Sequence, residues 1–452
     1  MKIDQQLHPT DLQRKINRLW ELSAAKIRAI EKTYDAGKGS PVFTVRGRYT
    51  SRGWTEWTQG FQFGSAILQF DATGEKSFLE LARRKTVALM APHVSHVGVH
   101  DHGFNNVSTY GNLLRLMNEG RILENGWERN FYELALKVSG AVQARRWTKI
   151  RDGGGYIYSF NGPHSLFVDT IRSLRSLALA HRLGHVLMGE NDETISLLDR
   201  LVQHARATAT YALRRQPTFS VAHEAIFNVN DGTYRCPNSQ QGWSPFTTWT
   251  RGLAWAMCGF AEQLEFLKKS DFIRQAARDV CDFYIDHATA ADGIPYWDAG
   301  APGLVKLGDW RATPADPFNP HEPVDSSAAA IAAQGLLRMG HHLQEKKYTQ
   351  AGLTVLNALF DGPYLSTSRQ HQGLILHSVY HRPNGWDYIP PGRKVPCGES
   401  SMWGDYHARE AALYVQRIIE KKPYLTFFGA CGSDIPVATG RGKNAAPTGR
   451  GK

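Results

Sequence analysis

The sequence predicts an all-α protein. Through most of the 452 residues, apolar side chains recur at spacings of three and four, as at Ile16, Leu19 and Trp20. That spacing is typical of one face of a helix, whereas the strict alternation of a half-buried strand is rare. Short turn signals, such as the run from Asn161 to Pro163, separate the periodic segments.

Twelve helices are expected, and short turns join many of them in pairs, so that neighbours run antiparallel. Six such hairpins closed into a ring form an (α/α)6 barrel. A four-helix bundle with a second domain fits less well, because no Pro/Gly/Ser-rich linker divides the chain. The expected helices lie at about 8–35, 58–73, 75–95, 101–121, 125–147, 164–186, 193–214, 248–268, 270–288, 325–341, 344–360 and 404–420.

The barrel is expected to be a single catalytic domain over residues 1–438, followed by a basic, Gly-rich tail at 439–452 that is expected to be disordered. Three long irregular stretches, at about 215–247, 296–324 and 361–403, should lie at one mouth of the barrel, where loops on a rigid scaffold carry function. They are rich in Trp, Tyr, His and Pro, and aromatic rings suit the apolar faces of sugars. For Trp297, Trp310 and Trp386, filling the core beneath the loops is an equally good explanation.

The charge and cysteine content exclude several classes of protein. Four of the net +11 charges come from the tail, and no run of five or six like charges occurs elsewhere, so a small acidic substrate is favoured over nucleic acid. The five cysteines are odd in number and lack CxxC spacing, which argues against a disulfide framework and a zinc site. Without an 18-residue apolar run or a leader, the sequence predicts a soluble, cytoplasmic protein with no membrane contact. A periplasmic or secreted protein whose signal peptide had been removed would show the same sequence features.

Two aspartates are candidates for acid–base chemistry. Asp101 stands in "VHDHGF", and Asp169 stands among apolar residues that include Leu166, Ile171 and Leu174. Burying a carboxylate is costly unless it is paired, protonated or hydrogen-bonded, and the same surroundings raise its pKa toward that of a general acid. A helix cap or a buried structural Asp is the commoner explanation for either residue.

Two further segments begin helices. Arg251 and Trp255 are four residues apart and share one helix face beside Trp249, where the arginine could hold a carboxylate or a sugar oxygen. A surface salt bridge over packed indoles is the alternative. The segment that opens with Asp325 supplies helix caps and small residues, which we interpret as structural.

Together, these motifs resemble the unsaturated glucuronyl hydrolases, glycoside hydrolase family 88. The matching segments follow the family order and span about four-fifths of the chain. They are "WTQGF" (57–61), "HDHGF" (100–104), "FVDTIRSL" (167–174), "QGWSPFTTWTRGLAW" (241–255), "YWDAGAP" (296–302), "DSSAAAIAAQGLL" (325–337) and "ESSMWGDYHAREAAL" (399–413).

The resemblance implies an (α/α)6 barrel glycosidase of polysaccharide degradation that needs no metal and no organic cofactor. Its substrates would be oligosaccharides with a 4,5-unsaturated uronic acid at the non-reducing end. The family hydrates the C4=C5 vinyl ether instead of attacking the anomeric carbon, and ring opening then releases the remaining sugar. By the same resemblance, Asp169 is the general acid and base, and Asp101 keeps the proton on Asp169 by like-charge repulsion. The implied substrate-contacting residues are Trp57, His100, His223, Gln241, Arg251 and Trp255.

The chain departs from the family pattern at the rim. Ser244 to Thr248 replace residues that are often acidic, and the stretch from Gly303 to Val324 is long. Arg393 and Lys394 could meet a sulfate or carboxylate on the leaving sugar, although solvated loop cations are the commoner case. Two alternatives stay open: a sugar epimerase that uses histidines on the same ring of helices, and a carbohydrate-binding barrel that has lost catalysis.

Overall fold

The computed structural model describes residues 1–53, 57–423 and 425–428. The predicted tail at 439–452 lies outside the described residues. Over the described part, the chain forms the twelve predicted helices, in which six outer helices alternate with six inner ones. Among these residues, no helix has the length and apolar character that a membrane span requires.

The outer helices bury one face and expose the other, as their three-and-four apolar spacing predicts. They are α1 (Gln13–Thr33), α3 (Lys76–Leu89), α5 (Gly126–Arg145), α7 (Leu197–Ala207), α9 (Asp271–Phe283) and α11 (Lys346–Leu359). The inner helices are α2 (Gln59–Thr73), α4 (His102–Asn105, Val107–Gly111 and Asn112–Asn118), α6 (Thr170–Ser173 and Arg175–Arg182), α8 (Thr250–Phe266), α10 (Ser326–Leu343) and α12 (Met402–Ile419).

The inner helices form a closed ring, since each packs against the next and α12 packs against α2. They are buried on almost every side, and small residues let them approach closely. A Cβ on Gly335 of α10 would lie 2.8 Å from the backbone of Met257 in α8. Ala328 to Ala330 keep the same helix narrow, and their relative exposure is zero. The predicted (α/α)6 barrel is confirmed.

The strands are short and lie outside the ring. Hairpins pair β1 (Ser40–Val45) with β2 (Arg48–Arg52), β3 (Trp147–Lys149) with β4 (Gly155–Ile157), β6 (Leu187–Met188) with β7 (Thr194–Ile195), and β8 (Leu213–Arg214) with β9 (Ser220–Val221). A three-stranded antiparallel sheet has β10 (Glu224–Phe227) between β5 (Ser165–Phe167) and β11 (Tyr234–Asn238). Short helices of one or two turns occupy Ala91–Val94, Pro9–Leu12, Ala36–Lys38, Glu190–Asp192, Pro302–Leu307 and Arg382–Asn384, and π turns occupy Thr208–Ala212 and Tyr284–Ala288.

One predicted helix boundary was wrong in a way that matters for the site. The helix expected at about 164–186 begins only at Thr170, because Ser165 to Phe167 pair with β10 as a strand. Asp169 therefore lies immediately before α6 instead of inside a helix.

Long connections precede the inner helices, and shorter turns follow them. The three irregular stretches predicted from the sequence lead into α8, α10 and α12. Residues at the starts of the inner helices meet across one end of the ring: Trp57 stacks on Trp403, and Arg251 pairs with Asp325. The predicted loop-covered mouth is confirmed.

Candidate active site

A cavity of about 230 Å³ opens at this mouth. Seven of the eight predicted site residues line it, although they come from four separate segments of the chain. They are Trp57, His100, Asp101, Asp169, Gln241, Arg251 and Trp255. Among the described residues, no three His, Cys, Asp or Glu side chains are grouped as a metal site would require.

The two aspartates meet because they precede neighbouring inner helices. Asp101 lies before α4 and Asp169 before α6, and each is only 8 % exposed. Neither carboxylate accepts a hydrogen bond from the first turn of its helix. The helix-cap explanation is therefore wrong for both residues.

His100 lies between the two carboxylates. Its Nε2 is 3.1 Å from Oδ1 of Asp169 and 3.7 Å from Oδ1 of Asp101. Burial by itself favours the neutral ring, but the two carboxylates raise the pKa of His100 above its usual value. One imidazole thus connects the two candidate acids.

The two carboxylates lie at different distances from His100, and their pKa values are shifted in opposite directions. Burial, with the nearby charge of Asp169, raises the pKa of Asp101 to about 6 against the opposing effect of His100. Burial also favours the neutral form of Asp169, but the hydrogen bond and charge of His100 hold the pKa of Asp169 below its usual value. These two directions are the reverse of what the resemblance implies for the unliganded site, and the role of Asp101 in keeping a proton on Asp169 stays a prediction.

The segment around Asp101 is held rigidly. The His100 carbonyl accepts hydrogen bonds from Ser173 Oγ at 2.8 Å and Gln143 Nε2 at 2.7 Å. A Cβ on Gly103 would lie 2.2 Å from the carbonyl oxygen of Ser173, so only glycine allows α4 and α6 to approach this closely. The aspartate-bearing ends of the two helices are brought together by this contact.

His102 has a different role from His100. Its Nδ1 is 3.0 Å from Ser139 Oγ, and its Nε2 is 2.9 Å from the carbonyl oxygen of His96. Both ring nitrogens are thus used within the protein, and His102 does not line the cavity. It anchors the segment on which Asp101 lies.

Arg251 connects separate loops of the mouth through hydrogen bonds. It is 1 % exposed, and it bonds Gln241 Oε1 at 2.7 Å, the Tyr380 carbonyl at 2.7 Å, the Val379 carbonyl and the Asp325 carboxylate at 3.2 Å. The surface salt bridge considered as an alternative is wrong, since Arg251 is buried. With these partners satisfied, Arg251 orients Gln241 instead of offering a free cation.

Aromatic side chains form the walls. Trp57 stacks on Trp403 with ring centres 4.9 Å apart, and its Nε1 is 3.4 Å from the Tyr380 hydroxyl. Trp255 packs against Phe104 at 4.8 Å. Since these rings are held by other rings, the walls are formed before a ligand arrives.

His223 does not line the cavity but lies directly behind it. Its ring centre is 4.4 Å from that of Phe167 and 4.8 Å from that of Trp249. Its Nδ1 accepts a hydrogen bond from the Gln240 amide at 3.0 Å, which places the ring proton on Nε2. Burial lowers the pKa of His223 to about 3, and Nε2 has no hydrogen-bond partner among the described residues. A neutral donor is therefore left unused beside the site.

The loop before α12 supplies wall residues that the sequence did not identify individually. Tyr380, His381 and Asn384 line the cavity together with Trp386. The aromatic richness of 361–403 was the only signal for them. Trp297 instead is buried and donates to Glu322 Oε2 at 2.7 Å, as a core residue would.

The fold and this site define a class of protein: an (α/α)6 barrel enzyme that acts on carbohydrate, with two buried acids inside a pocket walled by aromatic rings. The chain is 26% identical over 368 residues to the unsaturated glucuronyl hydrolase of Formosa agariphila, with 81% of each protein covered. It is 27% identical over 379 residues to the unsaturated glucuronyl hydrolase of Bacillus sp. strain GL1, over 80% of this chain and 87% of that protein. It is also 25% identical over 371 residues to an unsaturated chondroitin disaccharide hydrolase of Streptococcus pyogenes serotype M1, over 79% and 81% of the two chains.

Solved structures agree with the fold. An unsaturated glucuronyl hydrolase specific for heparin superposes with a TM-score of 0.72 at 21% identity, over 90% of this chain and 98% of that one. The unsaturated glucuronyl hydrolase of Bacillus sp. GL1 superposes with a TM-score of 0.69 at 23% identity, over 88% and 97%. No protein-family model matches the chain. The resemblance to the unsaturated glucuronyl hydrolases that the motifs predict is confirmed, and the epimerase alternative is not favoured, because these relatives are hydrolases.

Proposed function

We propose that this protein hydrolyses oligosaccharides that end, at the non-reducing side, in a 4,5-unsaturated uronic acid. The observation that carries the proposal is the pair of buried aspartates, Asp101 and Asp169, on either side of His100 at an aromatic pocket. The hydrolase names of the relatives support it. The ligand is a small acidic saccharide.

The size of the pocket suits one sugar ring. Its volume of about 230 Å³ lies below the range of roughly 300–1,000 Å³ that holds drug-sized ligands. The unsaturated uronyl ring would fill this space, and the leaving sugar would extend past the exposed Asn384 toward solvent. The pocket is therefore suited to removing a terminal residue.

Helix N-termini and hydrogen-bond donors at the mouth would stabilise the carboxylate of a bound substrate. The inner helices begin at this mouth, and the partial positive charge of a helix N-terminus stabilises an anion nearby. Gln240 and Gln241, which line the cavity, are the candidate donors to sugar oxygens. Binding an anion here also raises the pKa of Asp169 by like-charge repulsion, which favours passing a proton to it through His100.

The reaction then needs one proton and one water. Asp169 gives its proton to C4 while a water oxygen adds to C5, and the water proton returns to the Asp169 carboxylate. The product is a hemiketal at C5. Its C5–O ring bond breaks to leave a ketone at C5 and a hydroxyl at C1. The C1 hemiacetal then collapses to an aldehyde, and its hydroxyl proton leaves with the departing sugar. Asp169 ends the cycle as it began.

The proposal is tested with disaccharides made by polysaccharide lyases. Incubation with the protein should remove the ultraviolet absorbance of the C4=C5 double bond, because hydration consumes that bond. Chondroitin, heparin, pectin, ulvan and gellan products form a suitable panel. If the absorbance persists with every member while a known hydrolase removes it, the proposed activity is wrong.

The shared proton makes activity pH-dependent. Because the pKa of Asp101 is raised to about 6, the cluster loses a proton as pH rises through that value and has one fewer to pass to Asp169. We expect kcat/KM to fall above about pH 6. In Asp101→Asn, the pH at which kcat/KM begins to fall should differ from that of the parent by at least about one unit. The measurement is kcat/KM from pH 4 to 9 at constant ionic strength. A mutant profile that overlays the parent would contradict the role of Asp101.

A further inference from the structure

Arg52, at the end of β2, lies at the edge of the cavity. Its guanidinium is 4.3 Å from the ring centre of Trp386, which lines the cavity, and 5.3 Å from the ring centre of Phe43. The side chain is partly exposed. Arg52 therefore places a partly exposed positive charge beside Trp386, one of the aromatic residues that line the cavity.

The guanidinium of Arg52 has no acidic partner in the described part of the chain. Among the residues that the structure describes, no carboxylate lies within 4.0 Å of Arg52, and its guanidinium makes no hydrogen bond. Two other cations of the mouth, Arg251 and Arg393, do have partners in the protein. Arg251 pairs with Asp325, and Arg393 donates to the Phe318 carbonyl at 3.1 Å. Within residues 1–53, 57–423 and 425–428, Arg52 is therefore a cation that is positioned by aromatic rings and whose N–H groups make no hydrogen bond.

The stack on Trp386 fixes the position of Arg52. The ring of Trp386 packs on Tyr380 at 5.4 Å and on His381 at 4.7 Å. The strand that bears Phe43 is tied to the loop before α12 at the next residue, where the Thr44 amide donates to the Ser400 carbonyl at 2.9 Å. A guanidinium stacked on an aromatic face keeps its N–H edge free for a planar or tetrahedral anion.

We propose that Arg52 binds an anionic substituent, a sulfate or a carboxylate, on the leaving sugar. The inference rests on the proposed function and narrows its substrate class. The acids that react with the unsaturated ring are almost fully buried, whereas Arg52 lies on the partly exposed wall that the leaving sugar would pass. Holding the anion there costs little, because the cation is already ordered.

The test compares two unsaturated disaccharides that differ only in a sulfate on the leaving sugar. Arg52→Gln should raise KM for the sulfated substrate by about tenfold to a hundredfold, as expected for the loss of a charge-assisted contact, and leave kcat nearly unchanged. KM for the unsulfated substrate should stay within about twofold. Arg48→Gln, an exposed arginine on the same hairpin, is the matched control and should change neither value. A third disaccharide with a uronate leaving sugar distinguishes carboxylate from sulfate.

Two outcomes would overturn the inference. Equal losses on both substrates would assign Arg52 to the uronyl carboxylate that they share, and unchanged KM values would remove Arg52 from binding altogether. If the parent hydrolyses none of these substrates, the proposed function fails, which is a different result. If Arg52→Gln does not fold, the inference is tested by measuring how KM of the parent protein depends on ionic strength. KM must rise more steeply with ionic strength for the sulfated substrate than for the unsulfated one.

Discussion

Replacing Asp169 with Asn is expected to lower kcat by about a hundredfold to ten-thousandfold, the range that general acid–base catalysis contributes. Asn has nearly the shape of Asp but can neither give a proton to C4 nor take one from water. Substrate binding should survive, because the pocket walls do not depend on this side chain. Measurements of kcat by absorbance, of binding by calorimetry and of helicity by circular dichroism separate these effects.

The matched control is Asp309→Asn, the same substitution at an exposed loop residue. It should turn over at the parent rate. Near-parental turnover by Asp169→Asn would show that another group handles the proton. Asp101 would then be the first residue to examine.

Replacing Glu410 with Gln is expected to cost about 3–5 kcal/mol of unfolding free energy, because it removes one of the two buried carboxylates that balance two buried arginines. Inside the ring, Arg172 and Arg175 of α6 face Glu262 of α8 and Glu410 of α12, and none of the four is exposed. Glu410 also accepts from Gln334 Nε2 at 2.7 Å. Urea denaturation measures the loss. Glu21→Gln, which breaks an exposed pair with Arg18, should cost less than about 1 kcal/mol.

The difference in unfolding free energy between the parent and Glu410→Gln should decrease at low pH. Burial by itself would raise the pKa of Glu410, but Arg172 and Arg175 hold it at about 2, below the ordinary value of 4.5. The ionised form therefore stabilises the fold above about pH 4.5, and this contribution is lost as pH falls toward 2. The gap between parent and Glu410→Gln should narrow over that window. A gap that stays constant would indicate that packing, not charge, accounts for the loss.

The architecture could be predicted because it is local in origin. Apolar spacing of three and four defines each helix, and turn residues such as Gly74, which ends α2 with a left-handed φ of 74°, define the breaks. The extra strand at Ser165 to Phe167 was missed because its partner lies almost 60 residues away in β10. Short apolar runs do not distinguish a strand from a helix end.

The site was only partly predictable. The motifs identified Asp101 and Asp169, but the protonation of the pair depends on distances to His100 that no spacing reveals. Arg251 lines the cavity, yet its partners at Tyr380 and Gln241 come from loops whose conformation the sequence does not specify. The ion cluster of Arg172 and Glu410 had one signal, charged residues on helices that are otherwise apolar.

The hydrogen bonds of Arg251 limit how the loops of this enzyme can be redesigned. One guanidinium connects the Gln241 side of the pocket, the start of α10 at Asp325 and the Tyr380 segment. Transplanting either loop alone from a relative would strand hydrogen-bond donors in the interior. Engineers who seek a new sugar preference should therefore exchange the two loops as a matched set and leave the arginine that joins them untouched.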